Sequence, residues 1–174
     1  VTFDAGVRFF SLLALVAGAS AVLLAFAGYV PVGRRFASEV RDVAPWLAWL
    51  VAAVSTAGSL WFSESQHLEP CRLCWFQRIA MYPLAVILLV AAIRRDRDVR
   101  WYAGPLAGIG LLVSTYHYVI EWRPSLEAGS CDVDVPCTVP YFREFGFVSL
   151  AFMAMCGFAA ILALLLLTGS RRSR

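Results

Sequence analysis

Pro70-Cys71-Arg72-Leu73-Cys74-Trp75-Phe76-Gln77-Arg78 runs without a break into the charge-free stretch from Ile79 to Ile93, so a Cys-x-x-Cys pair stands at the mouth of a long apolar segment. Counted from Leu73, that segment reaches about 21 residues, roughly 31 Å of helix, which is enough to cross a hydrocarbon core. Arg78 then lies about 7 Å inside one end, within reach of the interface by snorkelling. A redox-type dithiol at a membrane boundary is a rare combination, and it sets both the solvent and the chemistry to be explained.

The rest of the chain agrees on the solvent. Apolar residues make up 60% of its 174 positions and charged ones 16%, with a mean hydropathy of +0.71, too oily for a water-soluble domain. Four more charge-free runs follow the same pattern: Phe9 to Gly33, Val43 to Ser63, Trp101 to Ile120 and Phe145 to Ser170. With mostly short connections, these predict an all-α membrane protein, an antiparallel helical bundle of five transmembrane helices. Gly104 and Gly108, four apart on the fourth span, are candidates for a close helix approach. The sequence holds no internal repeat, glycine-rich phosphate loop or basic stripe, so nucleic acid is not expected as a partner; lipid is.

The first run admits a second reading, a cleaved signal peptide with Ala25-Phe26-Ala27 as a small-residue cleavage pattern. Its charges argue otherwise. Only Arg8 precedes the run while Arg34, Arg35 and Arg41 follow it, and a signal peptide carries its positive end first.

Arginines also orient the bundle. Ten of them (Arg34, Arg35, Arg41; Arg94, Arg95, Arg97, Arg100; Arg171, Arg172, Arg174) fall on one side of the alternation and five (Arg8, Arg72, Arg78, Arg123, Arg143) on the other. The positive-inside bias then places the N-terminus outside and the C-terminus in the cytoplasm. Both cysteine pairs, Cys71/Cys74 and Cys131/Cys137, face the extracytoplasmic side, where disulfides persist. Cys156 sits mid-span, where apolar surroundings make a thiol inert packing.

The connection from Glu121 to Glu144 is the longest, broken by Pro124, Pro136 and Pro140 and acidic through Glu121, Glu127, Asp132, Asp134 and Glu144. It reads as a tethered flap returned to the interface by Tyr141, Phe142, Phe145 and Phe147. Five residues separate Cys131 from Cys137, ample for an ordinary disulfide ring. If the third helix starts near Cys71, Cys74 lies in its first turn and Arg78 one turn below on the same face, placed to stabilise a Cys74 thiolate or a ligand oxygen. His117, four residues before Glu121, falls at matching depth and can face Arg78. An apolar cleft with two converging donors beside a thiol suits a lipid-soluble electron acceptor such as a quinone. Competing readings are a four-thiolate zinc site, two structural disulfides, or a non-enzymatic membrane scaffold; Trp75, Tyr116, Tyr118 and Trp122 read as belt residues.

At these residues the chain resembles the DsbB-like membrane thiol oxidases, and most nearly their BdbC-type branch. The resemblance runs through Gly58-Ser59-Leu60-Trp61-Phe62-Ser63-Glu64, Pro70 to Ile79, Met81-Tyr82-Pro83, Tyr116-His117-Tyr118, and Val135-Pro136-Cys137-Thr138 leading to Phe145-Gly146-Phe147, covering roughly Val43 to Thr168. It implies a bacterial inner-membrane enzyme that reoxidises a secreted or periplasmic thioredoxin-fold dithiol oxidase of DsbA type and passes the electrons to menaquinone or ubiquinone. Sustaining an oxidising periplasm is a property of that family and is not read from these residues. By the same resemblance, Cys131 forms the mixed disulfide, Cys137 is its partner, Cys74 touches the quinone with Arg78 polarising it, and His117 falls where the family has a quinone-side histidine; no metal is implied. Vitamin K epoxide reductase-like proteins share the chemistry, but there the membrane Cys-x-x-Cys follows the loop cysteines instead of preceding them. The family bundle has four helices, so residues 1–42 read as an extra transmembrane helix with a cytoplasmic loop, and residues 43–174 as the four-helix core.

Overall fold

The computed structural model describes residues 2–27, 35, 39–96, 98–129, 131, 132 and 135–168. Residues 28–33 of the first run, 169 and 170 of the last, Asp134, and Arg34, Arg97, Arg171, Arg172 and Arg174 of the arginine alternation lie outside them. Among the described residues, five helices are long and apolar enough to cross a membrane. They are α1 (Phe3–Ala27), α2 (Ala44–Leu60, continued by a π-turn over Trp61–Ser65), α3 (Arg72–Arg94), α4 (Arg100–Trp122) and α5 (Leu150–Thr168).

Local chemistry explains the ends. Pro45 occupies the first turn of α2, where its missing N–H costs nothing. Cys71 caps α3: its backbone is extended and its sulfur accepts from the Cys74 N–H at 3.4 Å. At the other end Arg95 adopts a left-handed conformation (φ 53°), and the N–H groups of Arg95 and Asp96 return to Ala92 and Ala91. The last run was expected from Phe145, yet α5 begins at Leu150. Glu144 and Val148 exchange backbone hydrogen bonds at 2.9 Å around Phe145 and Gly146, both at positive φ, which closes a tight turn before the helix.

Helices α2, α3, α4 and α5 pack in a ring, and α1 docks against α5 and the π-turn end of α2. Lipid is as apolar as the protein interior, so close packing rather than burial holds such a bundle together. Small residues accordingly line the seams. Ala44, Ala48 and Ala52 of α2 and Ala103 and Ala107 of α4 are wholly buried, and the Phe158 ring of α5 lies over Gly110. Gly104 and Gly108, the pair singled out from sequence, have open space where a Cβ would stand. The tight seats are Gly6 on Trp61, Gly18 on Cys156, Gly58 on Phe10 and Gly110 on Phe158.

The described residues between Trp122 and Leu150 fold back over one end of the bundle and are stapled there. Tyr141 donates to the Glu69 carbonyl (2.7 Å) and Tyr118 to that of Phe147 (3.1 Å), while the Tyr116 oxygen accepts from the Ala128 N–H at 3.2 Å. Phe142 packs against Phe3 and Phe62, and Arg8 pairs with Glu144 at 3.3 Å. Tyr116 and Tyr118, expected as plain belt residues, therefore hold the loop in place.

Candidate active site

Both cysteine pairs meet at this stapled end. Cys131 and Cys137 are joined in a disulfide with Cα atoms 5.8 Å apart. Cys71 and Cys74 are free and their sulfurs lie 2.9 Å apart, as the first turn of α3 dictates. Cys71, Leu73, Ile120 and Cys137 form one buried cluster against which Cys74 and Cys131 pack. Within the loop pair, Cys137 is 2% exposed whereas Cys131 is only partly buried.

His117 links the two pairs. Its Nδ1 accepts from the Gln77 side-chain amide at 3.0 Å, which puts the ring proton on Nε2; that nitrogen lies 3.1 Å from the Cys137 carbonyl and 3.8 Å from the Cys71 sulfur. Behind it, Glu121 lies 3.9 Å from Nε2, and its carboxylate accepts from the Ser149 hydroxyl at 2.6 Å. Arg143 spans from the Glu121 carbonyl (2.7 Å) to the Trp122 ring, 4.1 Å from its centroid.

The donors around Cys71 fix its electrostatics. The Cys74 thiol donates to it, His117 and the Cys74 N–H add to that, and together they outweigh burial, holding Cys71 well below the ordinary thiol range, down to about 4. The spacing predicts Arg78 one turn below Cys74, placed to stabilise its thiolate or a ligand oxygen. The guanidinium donates to the Ser59 carbonyl at 3.1 Å, lies over Trp75 and lines the cavity beside Cys74, while the sulfur that collects the hydrogen-bond donors is Cys71. Burial, followed by the charges of the thiols and Glu69, pushes the Tyr141 phenol up, so it stays a donor to the Glu69 carbonyl.

On its other side the Cys71–Cys74 pair borders a cavity of about 370 Å³, within the size range of small-molecule sites. Cys74, Gln77, Arg78 and Tyr141 line its thiol end, and the remainder is mostly aliphatic and aromatic. His117 is not among the lining residues, so it and Arg78 diverge rather than face each other: His117 serves the loop side of the dithiol, Arg78 the cavity side. The cavity fits a quinone in character, mostly apolar along its length, with the Cys74 thiol, the Arg78 guanidinium and Glu69 among the polar groups that line it.

Sequence reading passed over Gln77 and Glu121 as site residues. The available signals were a glutamine inside an apolar helix, and a carboxylate four residues from a histidine on the same helix face.

Fold and site together define a membrane helical bundle that juxtaposes a loop disulfide with a dithiol at the lipid boundary, the layout of a thiol–disulfide oxidoreductase. Residues 41–168 match the family described as "Disulfide bond formation protein DsbB". Relatives include "Probable disulfide formation protein C 2" of Bacillus anthracis, 43% identical over 74% of this chain and 91% of the relative. "Probable disulfide formation protein" of Oceanobacillus iheyensis is 46% identical over 70% and 85%, and "Disulfide bond formation protein C" of Bacillus subtilis 38% over 76% and 97%. No solved structure matches the chain. This chain belongs to the DsbB family and is a disulfide-forming oxidoreductase of the membrane. The segment before residue 41, including all of α1, precedes the family match.

Proposed function

We propose that the chain is a thiol:quinone oxidoreductase, which oxidises an extracytoplasmic thioredoxin-fold dithiol and delivers the electrons to menaquinone or ubiquinone. One observation carries this reading: the Cys71–Cys74 pair has two faces, with Cys71 packed beside Cys137 and His117, and Cys74 opening on the apolar cavity beside Arg78. Residues 43–174 are taken as the working core, with residues 1–42 added to it, the cysteine end extracytoplasmic and the C-terminus inside.

A partner thiolate attacks Cys131, the more accessible loop sulfur, and Cys137 leaves; the partner's second thiolate then releases Cys131 and the partner departs oxidised. Cys137 attacks Cys71 of an oxidised Cys71–Cys74 disulfide, expelling Cys74. Cys131 next attacks the Cys137 sulfur of that mixed disulfide and expels Cys71, which restores the loop disulfide. Low-pKa thiols leave faster, so the donors around Cys71 favour this last step. A bound quinone supplies the acceptor for the two electrons and two protons of the Cys71 and Cys74 dithiol. Toward that acceptor, Arg78 offers guanidinium N–H groups at the thiol end of the cavity.

Metal binding is the second reading, since the ligand atoms of Cys71, Cys74 and His117 lie within 4.8 Å of one another. The four-thiolate version loses two donors to the Cys131–Cys137 disulfide. Purified protein in nanodiscs, given a reduced thioredoxin-fold dithiol and a quinone, separates the two. Oxidation of two thiols for each quinone reduced, abolished by Cys71→Ser or Cys74→Ser, is expected. Cys137→Ser leaves Cys131 a free thiol, and supplied with the oxidised partner it should accumulate a covalent adduct: the Cys131 thiolate attacks the partner's disulfide, expels one partner thiolate, and has no loop sulfur to resolve it. Stoichiometric zinc with no quinone-dependent loss of thiols would sink the oxidoreductase reading. An alkaline phosphatase fusion after Val32 tests orientation, and an active fusion would reverse it.

A further inference from the structure

We infer that α1 is a wall of the acceptor cavity, and that its small residues Ala14, Ala17 and Ser20 form a slot for the isoprenoid tail of the quinone. The inference rests on the quinone reading above. In the ring of α2 to α5, the groove between α2 and α5 beside Cys74 has no other helix across it among the described residues; α1, docked on α5, closes it. Phe10, Ala14, Ala17 and Ser20 face the cavity from α1, opposite Val54 of α2 and Met153 of α5. From Phe10 to Ser20 the wall extends about 15 Å along the helix, starting beside Phe62 near the thiol end and running toward the level of Leu50.

Three features favour a prenyl chain there. The slot is continuous with the Cys74 and Arg78 end, so a head held at that end projects its tail into it. Three of its hydroxyls are satisfied internally: Ser20 donates to the Ala17 carbonyl of its own helix at 2.8 Å, and the hydroxyls of Ser59 and Tyr82 pair at 3.2 Å. Leu13 and Val16, 38% and 67% exposed, form a rim through which a chain can enter from lipid. The seat is also firm, with Gly6 against Trp61, Gly18 against Cys156, and the Phe10 ring packed at a tilt on Trp61 and Phe62.

Ser20→Cys, close to the native side chain in size, gives a test in the full-length protein that does not depend on turnover. The protein in nanodiscs is treated with a membrane-permeant maleimide and modification at that position is read by mass spectrometry. A prenyl-tailed quinone should slow labelling about tenfold, as its tail fills the slot, whereas a tail-less naphthoquinone should not. No protection by the tailed quinone, or equal protection by both, overturns the slot. So does labelling that is slow in lipid alone and indifferent to quinone, which would assign the slot to an acyl chain. As a second measurement, Ala17→Trp should lower the ratio of kcat/KM for tailed over tail-less quinone about tenfold, the effect of expelling roughly two methylene groups. Leu23→Trp, exposed and outside the cavity, should leave that ratio unchanged. If the unmodified protein reduces neither quinone, the acceptor reading itself fails; reduction of both with no protection at position 20 sinks the slot alone.

Discussion

The donor arrangement at Cys71 makes a prediction that separates its partners. Three groups reach its sulfur: the Cys74 thiol at 2.9 Å, the Cys74 N–H at 3.4 Å and the His117 Nε2 at 3.8 Å. A hydrogen bond to a charged acceptor contributes about 1.5–3 kcal/mol, and one pKa unit is about 1.4 kcal/mol, so losing one well-placed donor moves the thiol by about one to two units. Cys74→Ala, which removes the nearest side-chain donor, should raise Cys71 by about two units, and His117→Ala, which removes the most distant, by about one or less. Thiolate absorbance in the ultraviolet, followed in the acid range as reduced protein minus a Cys71→Ser control, reports the Cys71 titration. The thiolate is the deprotonated form, so the signal is full at neutral pH and vanishes as pH falls through the pKa. Its midpoint should lie near pH 4 in the native chain and higher in both variants. A native midpoint in the ordinary thiol range, or a larger shift from His117→Ala than from Cys74→Ala, would refute the assignment of Cys71 as the stabilised sulfur.

Other perturbations test other parts of the structure. Arg78→Ala removes a guanidinium at the cavity end, and should raise the KM for quinone by about tenfold or more while thiol exchange with the partner stays measurable; unchanged quinone kinetics would remove Arg78 from the site. Gly110→Ala drives a methyl into the Phe158 ring and should cost about 1–3 kcal/mol, whereas Gly104→Ala meets open space and should be neutral or slightly stabilising, a contrast that denaturation in mixed micelles can read. Tyr141→Phe removes the hydrogen bond to Glu69, worth about 1 kcal/mol, and should speed amide exchange around Cys137 without altering the helices.

The spans were legible because lipid imposes a length: about 20 apolar residues must pass between charged or proline-rich connections, and composition alone locates such runs. Cys71, Cys74 and Arg78 were legible for a different reason. They share one helix, so spacing fixes their relation up to the rotation of that helix. What spacing could not supply was that rotation. A lipid-facing helix is apolar all round, so it lacks the polar stripe that reveals which side of a soluble helix faces inward. Arg78 could therefore be placed in depth but not in azimuth, and its acceptor, the Ser59 carbonyl on α2, carries no side-chain signal. His117 shows the same limit, since the group that turns it toward the loop is the Cys137 backbone carbonyl.

The same blindness explains α1. Read alone, it is an apolar segment that can only be counted as a span, and its residues beside the cavity, Ala14, Ala17 and Ser20, look like ordinary helix filler. Their meaning comes from what stands across from them. Cys74 and Arg78 lie at one end of a groove that the family-matched helices leave open on one side, and α1 occupies that side. A helix added only as an anchor would be free to pack on any lipid-facing surface of the ring. Docking it here instead requires Gly6, Gly18 and Gly58 at its three tight contacts, none of which would tolerate a larger residue without displacement. Three separate steric constraints converging on one seat favour a helix retained for that position. Any substitution that unseats it, Gly18→Leu among them, should therefore weaken acceptor use before it weakens exchange at Cys131.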